Sequence, residues 1–276
     1  MRKNFYEMLS QRDFDAQKEY STLWNLFCVE KSYYNGYSSY SLAAWVDLKL
    51  FRNFPFRGSF TSLKEMMGEF GLHIHSAADV DKLFLFCELL AAVLPSTGAP
   101  YDTSLFNQKR TIFENIGYIL EHTNHEMKKD PNGRQIIVEK NKSAILAAQL
   151  VPDTAVAFEL IEYNHFAIKG HLPEKKRILA DIANYIEPIL KSKTLGNAGY
   201  KQLESDAGFV FNNFHIRHNN KEGAKAQDYI VALDSKELEE WYDKAYELAI
   251  SVIIVNDYLS IGKDIKDVKE KYTWRT

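Results

Sequence analysis

Phe209-Val-Phe-Asn-Asn-Phe-His-Ile-Arg-His-Asn-Asn220 is the stretch from which the rest of this chain can be read. Leu203 and Ala207 before it, and Val210, Phe211 and Phe214 within it, recur at the three-and-four spacing that lines one side of an α-helix. Such a stripe must be covered, so it predicts one helix of a packed bundle. The stripe runs straight into His215, Arg217, His218, Asn219 and Asn220. Imidazole titrates near neutral pH, and guanidinium is a permanent, fork-shaped phosphate ligand. A cluster of both at a helix end suits proton transfer beside a phosphate, and so points towards RNA.

If that helix stays regular to its end, Asp206, Asn213 and Arg217 share one strip, with His218 on the other border of the stripe. Two readings follow. In one, Arg217 and His218, with His215 nearby, are functional groups. In the other, Asp206 and Asn213 orient a structural arginine while His218 and the asparagines end the helix, since Asn tolerates the left-handed terminal position.

A second constellation lies upstream, in Glu159-Leu-Ile-Glu-Tyr-Asn-His165 and the residues after it. Glu162 and His165 are three apart and share a face of a helix expected over 153–168, with Lys169 a turn later. His171, Lys175, Lys176 and Arg177 then form a basic run with only Glu174 opposing it in sequence. Beside acid–base groups, such a run would attract RNA phosphates next to a 2′-hydroxyl that can act as nucleophile. The plainer meaning of Lys-Lys-Arg is a solvated helix start.

Around these stretches the chain reads as mainly helical. Asp79 can cap a helix through Leu94, stopped by Pro95-Ser-Thr-Gly-Ala-Pro100, and Asp102 opens a long helix through Met127. A shorter helix is expected over Ser59–Phe70. Asp130-Pro-Asn-Gly133 is the strongest turn signal, and Arg134–Glu139 is the one convincing strand, giving a small β element near 131–139. A helical N-terminal region, 1–130, therefore precedes a C-terminal domain over 141–260. The latter holds helices at 143–168 (interrupted near Pro152), 173–191, 200–216 and 235–258, and short loops between them argue for an antiparallel bundle. The tail Gly262–Thr276, rich in Lys and Asp, is expected to fray.

Composition narrows the chemistry. A net charge of −3 gives no whole-molecule field for a polyanion, so any such site must be local. Cys28 and Cys87 stand far apart, and His73-Ile-His75 has no third ligand nearby, so neither a disulfide framework, a metal nor a cofactor is expected. The start lacks a signal-peptide core and no apolar run approaches the ~20 residues of a membrane span, which makes the cytoplasm the expected setting. Phosphate-cradling glycine loops, nucleophile elbows and zinc-hydrolase motifs are missing from the sequence.

Glu162-Tyr-Asn-His165, Phe211-Asn-Asn-Phe-His-Ile-Arg-His-Asn-Asn220 and Glu240-Trp-Tyr-Asp243 together resemble the C-terminal domain of abortive-infection proteins of the AbiJ type, within the HEPN superfamily. The resemblance implies a four- or five-helix up-and-down bundle that pairs into a homodimer. It also implies a metal-independent ribonuclease of antiphage defence or toxin-type growth arrest. The family's site is Arg-x(4–6)-His at a helix end. No arginine here is followed by histidine at that spacing; Arg217 is followed at once by His218.

On this resemblance Arg217 would hold the scissile phosphate. His218 would be the acid–base group, with His215 or His165 as substitutes and Asn213 and Glu162 orienting it. RNA would lie on Lys169, His171, Lys175, Lys176, Arg177, Asn219 and Asn220. The rival expectation is a non-catalytic HEPN-like sensor or interaction module in which Arg217-His-Asn-Asn is a structural knot.

Overall fold

The computed structural model describes residues 13–29, 41–94, 103–221 and 227–273, with the side chains of 103–106 and 273 excepted. The expected proline stop at 95–100, the Asp102 helix start and the reading of the first ten residues lie outside them. Two compact units emerge, Met1–Ile137 and Val138–Thr276.

The first unit holds α1 (Ala16–Cys28), α2 (Leu42–Lys49), α3 (Leu63–Glu69), α4 (Val80–Val93), α5 (Thr103–His122) and a hairpin of β1 (His125–Lys129) with β2 (Gln135–Glu139). Each of the first four helices starts on a side-chain oxygen that accepts an otherwise unpaired backbone N–H, from Asp15, Ser41, Ser62 and Asp79. Tyr20, Leu23, Phe27, Phe84, Phe86 and Leu90 are buried in its core. The long helix ends at His122 rather than Met127. Asn124 takes a left-handed φ of 58°, and the next five residues pair with β2. His125 therefore decorates a strand instead of a helix end, its ring 4.5 Å from that of Phe84. Gly133, at φ 81°, closes the hairpin, and Asp130 grips the Arg134 backbone and guanidinium. Glu88 of α4 accepts the Ile137 N–H at 2.6 Å.

The second unit is a bundle of α6 (Lys142–Leu150), α7 (Thr154–Glu162), α8 (Leu172–Lys191), α9 (Lys201–Asn213), the single turn α10 (Asp228–Val231) and α11 (Ser235–Thr273). Side-chain pairs fix its up-and-down order. Arg177 at the start of α8 reaches Glu159 and Glu162 at the end of α7. Lys193 just past α8 meets Glu204 at the start of α9, while Lys176 meets His215 just past the end of α9. Phe214 then stacks on Trp241 near the start of α11, centroids 4.0 Å apart. Between α8 and α9, Gly199 at φ 100° turns the chain, a conformation costly for any residue with a Cβ.

The fold is mainly α, as the periodicity predicts. Val210, Phe211 and Phe214 sit in one apolar core with Ile178, Ile182, Leu238 and Tyr242, and Leu203, Trp241 and Leu248 pack at its margin. Burying a residue such as Phe211 is worth about 2–3 kcal/mol, so this stripe alone accounts for much of the docking of α9. Three helix ends in the second unit differ from expectation. α7 stops at Glu162, six residues before Ile168, because Asn164 and Glu139 form a backbone hydrogen bond that pulls the chain aside. α9 stops at Asn213, and α11 continues through the expected frayed tail to Thr273.

Candidate functional site

Helix α9 ends where Phe214 leaves helical geometry and His215 adopts φ 60°, a left-handed position more often filled by Gly or Asn. The stretch from His215 to Asn220 is then tied down by its own hydrogen bonds. Asn220, 4% exposed, accepts the His215 N–H at 3.3 Å through its side chain and the Gln227 N–H at 2.9 Å through its carbonyl. The Arg217 N–H reaches back to the Phe211 carbonyl at 3.2 Å.

Arg217 does not bridge Asp206 and Asn213, because the helix that would align them has already ended. Its guanidinium pairs with Glu187 of α8 at 2.7 Å and donates to Asn212 Oδ1 at 3.3 Å. Asn213 donates to the Phe209 carbonyl, and Asp206 accepts from Gln202. Lys191 and Arg217 hold the Glu187 carboxyl down at about 2. His218 and Asn219 are exposed. Lys176 Nζ lies 3.0 Å from His215 Nε2, so an ammonium donates to an imidazole lone pair and one residue of each expected constellation meets there.

The basic run looks different in three dimensions. Lys175 is 5% exposed and sits between Glu239 at 2.8 Å and Asp243 at 2.5 Å, over the ring of Tyr163. Arg177 is ringed by Glu159, Glu162, Glu174 and Asp181. Four carboxylates around one guanidinium make this surface acidic, so the sequence reading of a single opposing Glu174 is corrected: further neutralising groups come from α7, from Asp181 later on α8, and from α11. Burial pushes the Glu159 carboxyl up to about 7, with Arg177 pulling it back and Asp181 pushing it further.

The remaining expected residues are scattered. Glu162 is held by Arg177, and neither it nor Asn213 hydrogen-bonds His218 among the described residues. His165 lies beyond the end of α7, in a backbone bridge to Val138, so it shares no helix face with Glu162. His171 caps α8, Nδ1 accepting the Glu174 N–H at 3.3 Å. Lys169 is exposed near Glu239.

Sequence reasoning overlooked a polar network beneath this end of the bundle. Tyr163 donates to Asp243 at 2.8 Å, Asn164 donates to the Tyr246 hydroxyl at 2.6 Å, and that hydroxyl donates to the Leu160 carbonyl. Tyr163 and Tyr246 stack at 4.1 Å, and Glu239 accepts the Gly170 N–H at 2.7 Å. The signal was present as Trp241-Tyr-Asp243 beside Tyr163-Asn164, but nothing local pairs the two segments. Satisfied networks of this kind fix one arrangement of a core.

Among the described residues no three His, Cys, Asp or Glu side chains gather closely enough to hold a metal ion. No described helix is long and apolar enough to cross a membrane. No family model, curated protein or solved structure matches the chain.

Proposed function

We propose that the second unit is a HEPN-like interaction module that self-associates in the cytoplasm. In this reading it serves as a non-catalytic component of an abortive-infection type of response. One observation carries the reading: the three cations placed best to hold an RNA phosphate are already engaged with carboxylates within the fold. Arg217 pairs with Glu187, Lys175 with Glu239 and Asp243, and Arg177 with four carboxylates. A phosphate arriving at any of these would have to displace a carboxylate that already satisfies the cation. The five-helix up-and-down order is consistent with the HEPN resemblance, and two unpaired thiols, Cys28 and Cys87, are consistent with a reducing compartment.

A metal-independent ribonuclease is the second reading, favoured by the exposed His218 directly beside Arg217. There the imidazole would move the proton and the guanidinium would steady charge on the phosphate. The test is incubation of purified protein with total RNA in EDTA, for the natural sequence and for His218→Ala. Intact RNA in both supports the interaction module. Cleavage that disappears in His218→Ala, with an unchanged melting temperature, overturns it in favour of the nuclease.

A further inference from the structure

Helix α11 changes character along its length. Its first half is buried: Leu238, Tyr242, Ala245, Tyr246, Ala249, Val252 and Ile253 all belong to the core. Beyond Val255 the helix continues to Thr273, and from Ser260 to Tyr272 every side chain is exposed. Its large apolar residues there are Tyr258 (61% exposed), Ile261 (50%), Ile265 (49%), Val268 (49%) and Tyr272 (70%). Their spacings are three, four, three and four, the heptad pattern of a helix built to lie against another helix. Scattered exposed apolar residues need no explanation, but five at unbroken heptad spacing form a continuous stripe about 21 Å long.

A second apolar surface lies on the same helix. An open groove of about 660 Å³ runs between α9 and α11, lined by Phe209, Val210, Trp241, Leu248 and Ser251, with Asp206, Asp243, Glu247 and Lys244 at its edges. Phe209 is 53% exposed there. From Trp241 to Ser251 the groove spans about 15 Å of helix, shorter than the stripe. Because stripe and groove are parts of one unbroken helix, the stripe cannot fold back into its own groove.

We propose that two copies of this chain pair about a two-fold axis with their α11 helices antiparallel, the stripe of each seated in the groove of the other. The proposal deepens the self-association reading and rests on it. A two-fold contact is self-complementary, so one interface covers both stripes and both grooves. Charge agrees in sign. At the groove Asp206 and Glu247 outnumber Lys244, Asp243 being already paired with Lys175, while over the stripe, 258–272, Lys263, Lys266, Lys269 and Lys271 outnumber Asp264, Asp267 and Glu270 by one. Helix nucleation is no obstacle, since the bundle already holds the first half of α11. A straight helix drifts about 20° per heptad from such a stripe, so the paired helices would wrap left-handed.

Sedimentation of the full chain tests this, with the natural protein expected to be dimeric at about 10 µM. Ile261→Lys with Ile265→Lys alters only the tail, and Phe209→Lys alters only the groove rim. All three residues are half exposed, so the variants keep their fold, checked by circular dichroism. Each should weaken dimerisation at least tenfold. Mixing the tail variant with the groove variant should restore heterodimers, because one intact stripe meets one intact groove. A monomeric natural protein, or a tail variant that still dimerises, overturns the proposal. If Phe209→Lys remains fully dimeric while the tail variant is monomeric, the tails pair with each other and the groove seating is wrong. An RNA-cleavage assay on the same preparations scores the interaction-module reading separately, since cleavage would defeat that reading whatever the oligomeric state.

Discussion

Two cation-bearing runs, Lys175-Lys-Arg177 and His215-Ile-Arg-His218, face each other at one end of the bundle through the Lys176–His215 contact, yet they are held differently. In the first, Lys175 is sealed between Glu239 and Asp243 and Arg177 is ringed by four carboxylates. In the second, Arg217 has one carboxylate and one amide, and His218 faces solvent. The difference shows that a run of charge along a sequence is no guide to charge on a surface. Partners more than sixty residues away in α11 decide what Lys175 is.

The comparison is broken most sharply at Lys175. Lys175→Ala removes the one cation between Glu239 and Asp243 and leaves Tyr163 donating to a carboxylate with no counter-charge. Breaking a fully buried pair costs about 3–5 kcal/mol; Asp243 is half exposed, so about 3 kcal/mol is expected here. Urea unfolding measures it. A loss below about 1 kcal/mol would mean that Lys175 is a solvated helix-start lysine after all.

What the sequence made legible was whatever depends on neighbours along the chain. The cap at Asp79, the hairpin turn at Asp130–Gly133 and the α9 stripe all behave as read. What it hid depends on distant groups. The end of α9 is set by Phe214 packing on Trp241 and by Asn220 accepting the His215 N–H, neither of which periodicity can see. His125-Glu-Met-Lys-Lys129 is built of helix-tolerant residues and becomes a strand only because β2 lies beside it. In the tail, a count of Lys and Asp concealed the heptad spacing of Tyr258, Ile261, Ile265, Val268 and Tyr272.

Arg217→Ala should have an intermediate effect. Losing the hydrogen bond to the half-buried Asn212 costs about 1 kcal/mol, and the surface pair with Glu187 adds little. A melting temperature lower by about 4 °C is expected. The same substitution should raise the Glu187 carboxyl from about 2 towards its ordinary 4.5, read by carbon-13 NMR titration. In the natural protein that depressed carboxyl stabilises the fold above about pH 4.5, and the contribution fades as pH falls towards 2. A Glu187 that titrates identically in Arg217→Ala would show that Lys191 alone sets it.

Glu159 gives the opposite slope. Its carboxyl is raised to about 7, so the folded chain binds a proton that the unfolded chain, near 4.5, releases earlier. The stabilisation is full below about pH 4.5 and is lost as pH rises through about 7. Glu159→Gln should flatten stability against pH across that window while keeping an acceptor for Arg177. An unchanged pH profile would remove Glu159 from the account of the acidic ring.

His218→Ala carries the smallest expected effect, and its smallness separates the two runs' roles. The ring is exposed and makes no hydrogen bond among the described residues, so its removal leaves no buried group unsatisfied. Surface substitutions of that kind change stability by less than about 0.5 kcal/mol. The neighbouring knot should persist, because Asn220 holds the His215 and Gln227 backbone without using His218's side chain. A stable variant with unchanged behaviour towards RNA fits an interaction module whose Arg217 is structural. If His218→Ala is equally stable but relieves toxicity or RNA loss in cells, the exposed imidazole is chemical, and Arg217 beside it must be re-read as a phosphate ligand that releases Glu187 on binding.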